Sequence, residues 1–556
     1  MQQDQRPSSN RFQAWLPLLF AVVLVGGMLI GMKLQKTSPS VLVENQTNPI
    51  LNAMGQGKVE ELIRYIEAKY VDEVERDELV QDAIRSILKD LDPHSNYISA
   101  EQLKEVNEQL EGNFDGIGVE FIILEDTVVV VAPLAGGPSE AVGIQAGDKI
   151  VEIEDSIVAG VNMETTSIMD MLRGERGTEV AVGILRGQED KLREFTITRD
   201  KIPMHSVDIA YMLDDRTGYI KINRFSATTY EEFMQGLEDM VENQQMKDLV
   251  IDLRHNPGGY LQQATNILSQ LFQEKEKLLV YTEGRAVNRS EYQSTGRAYF
   301  DIENIAVLID EGSASASEIL AGAIQDHDRG VIIGRRSFGK GLVQEQYKLR
   351  DGSALRLTVA RYYTPSGRSI QKSYEDLDEY ERDALERFNS GELSSEEKME
   401  ISDSTEYYTT GGRVVYGGGG IMPDVFVPID TQLLDDAYLS MRQYVPQFVF
   451  RFLDDHRAEF DYTLEHFRNR FRVTEPILQE FYQYAQSQGM DESARGNIDS
   501  TKELKRFIKA RIAKHLFEDK GFYTVWNEDD EMIKKARDVL ESPNSLSRII
   551  AKQEER

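Results

Sequence analysis

The chain contains no cysteine. Disulfides, thiolate metal sites, a cysteine nucleophile and a lipidated N-terminal cysteine are therefore excluded. Positive charge is also in short supply: 63 Lys and Arg stand against 95 Asp and Glu, a formal net charge of −32. Such a chain repels nucleic acid and anionic lipid, so no nucleic-acid partner is expected and the charge is read first as solubility. Neither H-E-x-x-H nor paired-histidine spacing occurs, so no metal is expected, and nothing calls for a cofactor. The Walker pattern G-x-x-x-x-G-K-[ST] is missing, because Gly341 follows Lys340. The G-x-S-x-G nucleophile elbow is missing too. His255 and His327 lie nearest the motifs described below, and neither sits in a Ser-His-Asp context. No internal repeat is visible.

Long apolar runs are scarce, with one exception. Trp15 to Met32, WLPLLFAVVLVGGMLIGM, carries no charge and reaches the minimum length for spanning a bilayer. Arg6 and Arg11 precede it, and Lys33-Leu-Gln-Lys36 follows it. That following stretch is a poor signal-peptidase site, so an uncleaved membrane anchor is expected rather than a removed signal. The flanking charges are too balanced to fix its orientation.

At 556 residues the chain exceeds one hydrophobic core, and its pattern changes along its length. Residues 1–36 form the tail and anchor. Residues 37–111 begin as a Ser, Thr, Asn, Gln and Gly-rich linker. Two helices follow, near 58–70 and from about Glu78 to Asp92-Pro93. Residues 112–200 read as a compact, mostly β unit, with strands at Val119–Leu124, Thr127–Ala132, Lys149–Ile153, Glu179–Leu185 and Arg193–Thr198. From 201 to 430, short apolar strands alternate with helices, which predicts an α/β core buried on both sheet faces. Within it, residues 373–410 are dense in Asp and Glu and are read as a solvated insertion. Residues 431–556 turn helical and aromatic. The fold class expected is α/β and multidomain.

Three segments carry chemistry. Gly312-Ser-Ala-Ser-Ala-Ser-Glu318 follows the strand-like IAVLID and opens a helix. A hydroxyl there lies near unpaired backbone N–H groups and the positive end of the helix dipole, which favours an anionic transition state. Ser315-x-x-Glu318 equally matches a capping box, which needs no catalysis. Phe338-Gly-Lys-Gly-Leu-Val-Gln344 places a lysine between two glycines. A buried lysine loses its proton readily and becomes a competent general base, and Gln344 offers a hydrogen bond to direct the amine. Asp252-Leu-Arg-His-Asn-Pro-Gly-Gly259 ends a strand in a turn whose exposed N–H groups suit an oxyanion hole.

Taken together and in this order, the three segments resemble those of the C-terminal processing peptidases, the tail-specific serine proteases. The resemblance extends to LDPHSNYIS (91–99), GIGVE (116–120), AGDKIVEI (147–154), YYTPSGRSIQ (362–371) and GIMPDV (420–425), and spans about 58–430. It implies Ser315 as nucleophile, Lys340 as general base and Gln344 as the residue that orients the lysine. It implies an oxyanion hole from the N–H groups of Ala316 and of Gly258 or Gly259. The 112–200 unit then corresponds to a PDZ domain. Its Gly116-Ile117-Gly118-Val119 loop would hold a substrate's terminal carboxylate, and the following strand would offer an edge for β-augmentation. Arg173 is the nearby cation, and a surface role is the simpler reading for it. The partners implied are proteins with unstructured C-terminal tails. The membrane is reached through residues 15–32, with the catalytic part on the periplasmic side of a bacterial inner membrane. The 431–556 region is not shared by the whole family and is a candidate dimerisation, substrate-selecting or regulatory element. Two rival readings are a catalytically silent PDZ-bearing membrane scaffold and a phosphate- or acyl-CoA-handling enzyme on a related scaffold.

Overall fold

The computed structural model describes residues 49–542 and 549, apart from 188, 190, 400, 402, 432–434, 457, 458, 493, 494, 496 and 497. The expected anchor at 15–32 lies outside the described residues. Among the described residues no helix is long and apolar enough to cross a membrane.

The chain divides after Ala83 into two compact units. In the first, the helix Pro49–Lys69 is joined to the start of the next helix by Arg76, whose guanidinium reaches Glu60 at 2.6 Å and Glu67 at 3.1 Å.

In the second unit, residues 119–198 form an antiparallel sheet. Its order is Val119–Leu124, Thr127–Pro133, Lys149–Ile153, Glu179–Leu185, Arg193–Thr198. The strand Val119–Leu124 lies at one edge. Val128, Val130, Ile150, Val180 and Ile184 share a core with Ile168 and Leu172 of the helix Thr165–Leu172. Asn113–Gly116 pairs with Asp200–Pro203, closing the entry and exit of this unit into a two-stranded stem.

The α/β core is a six-stranded sheet. Its strands are β1 (Val207–Met212), β2 (Thr217–Ile222), β3 (Asp248–Asp252), β4 (Asn304–Ile309), β5 (Val331–Gly334) and β6 (Val425–Phe426), and they lie side by side in chain order. The β1–β2 pair is antiparallel and the rest are parallel. The helices α1 (Thr229–Glu238), α2 (Leu261–Leu271) and α3 (Ala316–Asp326) connect the parallel strands β2 to β5. Right-handed crossovers between strands in sequential order put all three helices on one face. The strand period of two then decides what each residue meets. Ile220, Leu249, Ile251, Ile305, Val307 and Ile332 pack with the helices. Tyr219, Val250, Ala306, Leu308, Val331 and Ile333 point to the opposite face.

That opposite face is covered by the end of the chain. Met532, Ile533, Ala536, Val539 and Leu540 of the helix Glu531–Glu541 form one apolar cluster with it. The described residues of 436–526 are mostly helical, as expected, and carry their own aromatic core around Phe448, Phe467 and Phe481. The terminal helix is therefore a layer of the α/β core. A second, antiparallel sheet contains Asn96–Ile98, Lys275–Glu283, Ser290–Thr295, Leu342–Lys348 and Ala354–Tyr363.

Most described residues of 373–410, read as a solvated insertion, are exposed, but the segment is folded and has an inner face. Its described residues include the helix α4 (Leu377–Ser390), with Asp376 accepting from the N–H groups of Asp378 and Glu379, and the strand Asp403–Tyr408. Tyr380, Arg387 and Glu392 are buried. The acidic residues lie mostly on the outer side of α4, so composition alone concealed an inner face.

Candidate active site

The three motif segments are the loops at the carboxyl ends of the adjacent parallel strands β3, β4 and β5, where parallel sheets place their sites. Asp252 ends β3 and the turn to Gly259 follows. Ile309 ends β4 and leads to Ser315 at the start of α3. Gly334 ends β5 and leads to Lys340.

Ser315 adopts φ 55° and ψ −112°, a conformation costly for any residue with a Cβ and found where a structure over-determines it. Two bridges hold it against the lysine loop. The first is Glu318. Its Oε2 accepts the N–H of Ser315 at 2.8 Å and the N–H of Lys340 at 2.9 Å, while its Oε1 accepts from Gly339 N–H at 2.8 Å and Ser337 Oγ at 2.5 Å. The second is Tyr362, whose hydroxyl lies 3.0 Å from the Ser315 carbonyl and 2.6 Å from that of Lys340. One carboxylate thus ties the amides of the two residues together and one phenol ties their carbonyls. Burial pushes Glu318 up to about 7, against the pull of the four donors that favour its charged form.

Lys340 Nζ donates to Gln344 Oε1 at 3.2 Å, and Gln344 Nε2 donates to the carbonyl of His94. The amine's pKa is lowered, first by burial and then by the Arg356 guanidinium, with Glu318 and Asp92 opposing. Among the described residues no hydrogen bond joins the Ser315 hydroxyl to this amine. The structure brings the two backbones together and leaves the amine resting on Gln344.

The Gly-Gly turn closes on the same place. A Cβ on Gly258 would fall 2.8 Å from Ser315 Cβ and 2.9 Å from Ala316 N, so only glycine allows this approach. Gly258 N–H donates to Asn256 Oδ1 at 2.8 Å. The N–H groups of Gly259 and Ala316 have no partner among the described residues. His255 Nδ1 lies 3.0 Å from Asp310 Oδ2, which raises its pKa. Its ring is exposed, and no hydrogen bond links it to Ser315 among the described residues. His327 is held by the Leu278 carbonyl at 2.6 Å. Neither histidine forms a triad.

In the 119–198 unit, the carbonyls of Ile117 and Gly118 are tied down by Ser139 N–H at 3.1 Å and Leu134 N–H at 2.9 Å. The N–H groups of Ile117 and Gly118 have no partner among the described residues. Gly118 has φ 70°, and Val119 opens the edge strand. Such a loop presents main-chain donors to an anion beside an edge strand, paired on one side with Thr127–Pro133 and with its Ile123 carbonyl accepting from Gln447 Nε2 at 2.9 Å. Gly116 lies in the stem. Arg173 stacks on Phe114 at 4.7 Å and lies 3.9 Å from Glu108, so its charge is already engaged.

Sequence reasoning had Glu318 only as a cap and assigned nothing to Tyr362 or His94, although all three lie inside quoted motifs. Besides local partners such as Ser315 for Glu318, each meets partners between 19 and 286 residues away in sequence, a relation that no local pattern encodes.

Residues 216–378 match the model of peptidase family S41, and residues 116–198 match that of the PDZ domain. Residues 21–102 match the N-terminal domain of the activating protease CtpB, and residues 437–518 match a family of unknown function. The carboxy-terminal-processing protease of Bartonella bacilliformis is 35% identical over 354 residues, which is 63% of this chain and 80% of the relative. The carboxy-terminal processing protease CtpB of Bacillus subtilis is 32% identical over 370 residues, 64% of this chain and 75% of that one. The solved photosystem II D1 C-terminal processing protease shares 31% identity over 56% of this chain and 84% of its own, with a TM-score of 0.32.

Proposed function

The chain belongs to the PDZ-containing C-terminal processing peptidases of peptidase family S41, and from that membership we propose that it cuts protein tails with a Ser315–Lys340 dyad through an acyl-enzyme. The observation that carries this reading is the double bridge by Glu318 and Tyr362, which fixes Ser315 and Lys340 side by side at the carboxyl ends of β4 and β5.

A tail docks its carboxylate on the N–H groups of Ile117 and Gly118 and lies as an added strand against Val119–Leu124. Lys340, whose pKa is lowered by burial, turns from Gln344 to take the proton of Ser315 as Oγ attacks the scissile carbonyl. The oxyanion rests on Ala316 N–H and on Gly259 N–H, since the Gly258 amide is occupied by Asn256. Each such donor lowers the barrier by about 2.7–4 kcal/mol. The tetrahedral intermediate collapses as the protonated Lys340 gives its proton to the leaving amine. Water, deprotonated by the now neutral Lys340, attacks the acyl group, and Lys340 returns the proton to Ser315 Oγ as it leaves. Residues 15–32 serve as the anchor that holds this peptidase on the periplasmic face of a bacterial inner membrane, which resistance to carbonate extraction would test.

The deciding experiment uses an unstructured protein with a free C-terminus. Ser315→Ala and Lys340→Ala should each cut it at least ~1,000-fold more slowly, while tail peptide still binds with its original Kd. Fluorophosphonate should label the parent and not Ser315→Ala. Undiminished cleavage by Lys340→Ala would overturn the dyad.

A further inference from the structure

The loop that carries Lys340 is held on three sides by the core. Phe338 N–H donates to the Ser313 carbonyl at 3.0 Å, Gly341 N–H to Gln371 Oε1 at 2.8 Å, and the Gly339 and Lys340 amides to Glu318. On the fourth side lies α4 of the acidic segment. Arg387 donates to the carbonyl of Arg336 at 2.6 Å and to that of Ser337 at 3.2 Å. It is kept in place by Glu392, which also pairs with Arg336 at 2.7 Å. Tyr380 packs edge-on against Phe338, with ring centres 5.9 Å apart. Lys372 lies 4.1 Å from the centre of each of these two rings. The Tyr380 hydroxyl meets His94 Nε2 at 2.7 Å, and the His94 carbonyl is the one that receives Gln344. A continuous path therefore runs from α4 through Tyr380, His94 and Gln344 to the Lys340 amine, and a second runs through Arg387 to the two residues preceding Phe338.

We propose that Tyr380 and Arg387 of the acidic segment are positioning residues for the general base, so that α4 sets the direction and dryness of the Lys340 amine without touching substrate. This rests on the dyad reading given above. A forked guanidinium that takes two consecutive carbonyls fixes a loop in a way that a single ammonium does not. The phenol fixes the ring of His94, and with it the main chain that holds Gln344. Arg356 from the strand Ala354–Tyr363, Glu318 from α3, and Asp92 and His94 from the turn before Asn96 face the amine. Asp383 and Lys372 face Tyr380. Loosening α4 lets water reach Lys340. Its pKa then rises towards the ordinary lysine value, and a smaller fraction is neutral at any given pH.

The test is the pH dependence of kcat and KM for an unstructured tail peptide, measured on Tyr380→Phe and Arg387→Lys in the full chain. Tyr380→Phe keeps the ring and removes only the hydroxyl. Arg387→Lys keeps the charge for Glu392 and removes the fork. Expected for each is a kcat about 10-fold lower near neutral pH, an unchanged KM, and a midpoint of the activating limb moved up by about half a pH unit or more. Tyr380→Ala should fall further than Tyr380→Phe. A shift in either variant at constant KM supports the inference. Parent-like kcat and pH profiles in both variants overturn it while leaving the dyad intact, provided Lys340→Ala is inactive. Retained cleavage by Lys340→Ala would overturn it together with the reading on which it rests.

Discussion

Two stretches that resemble appendages in the sequence, the acidic segment at 373–410 and the terminal helix Glu531–Glu541, both become parts of the α/β core, by opposite means. The terminal helix presents Met532, Ile533, Ala536, Val539 and Leu540 to one face of the sheet and is held there by apolar burial. Around it, Arg254 bridges Asp252 and Asp530 at 2.6 and 2.7 Å. The acidic segment makes its contact through Arg387, Glu392 and Tyr380, the last beneath the Lys372 ammonium, almost entirely by ion pairs, cation–π contacts and hydrogen bonds to a loop. Apolar burial is large and indifferent to direction, whereas hydrogen-bonded contacts are directional and individually modest. The terminal helix should therefore govern whether the core folds, and the acidic segment how well the folded core performs.

The largest effect that could break this contrast is expected from Ile533→Asp. Ile533 is 2% exposed, and an unpaired carboxylate at such a site costs at least about 3 kcal/mol. Urea unfolding should show that loss, and the fraction that remains folded should cleave with the parent's kcat. A folded variant with a much lower kcat would mean that the terminal helix also acts on chemistry.

Next in size is Glu392→Gln. Glu392 sits between two arginines, Arg336 and Arg387. Removing its charge leaves both arginines buried with a neutral acceptor, at a cost of about 2–3 kcal/mol. Unlike Ile533→Asp, it should also lower kcat in the folded fraction, because Arg387 loses the partner that aims it at the loop. Stability loss without any change in kcat would make the acidic segment a second terminal helix in kind.

The unequal legibility of these regions has the same physical origin. The strands of the PDZ-like unit and of the parallel sheet were readable because their alternation is local. Val119–Leu124 and Lys149–Ile153 are observed with the bounds that the periodicity implied. That the loops of Ser315 and Lys340 meet was readable only through family resemblance. Their frame was not, because Glu318 and Tyr362 act on backbone groups up to 47 residues away. Glu531–Glu541 was covered by the helical reading of 431–556, which did not single out its apolar face, and nothing local tells which sheet that face covers. In 373–410 the high charge density of α4 masked its inner face. Tyr380 and Arg387 lie seven residues apart, two turns of one helix, and only the loop they meet gives that spacing a meaning.

The smallest effect expected concerns acid. His94 is held down to about 4 from an ordinary value of 6.5 by burial and then by the nearby Lys340 and Lys372 charges, against the pull of Asp92. Between those two values the unfolded chain binds a proton at His94 that the native protein does not. The slope of stability with pH is then positive, and stability is lost as pH falls from 6.5 towards 4. Burial lowers His515, to about 4, and His327 in the same direction, so the share that belongs to this contact is the difference between His94→Gln and the parent. Urea midpoints taken at pH 7, 5.5 and 4.5 should fall less steeply for His94→Gln than for the parent, by at most the equivalent of one proton. Ile533→Val, which is destabilised on the other face, should keep the parent's slope. If His94→Gln and the parent lose stability in parallel, His94 gains its proton in the folded state. Its contact with Tyr380 would then be a solvated surface pair, and the distinction between a layer that folds the core and one that tunes it would rest on Arg387 alone.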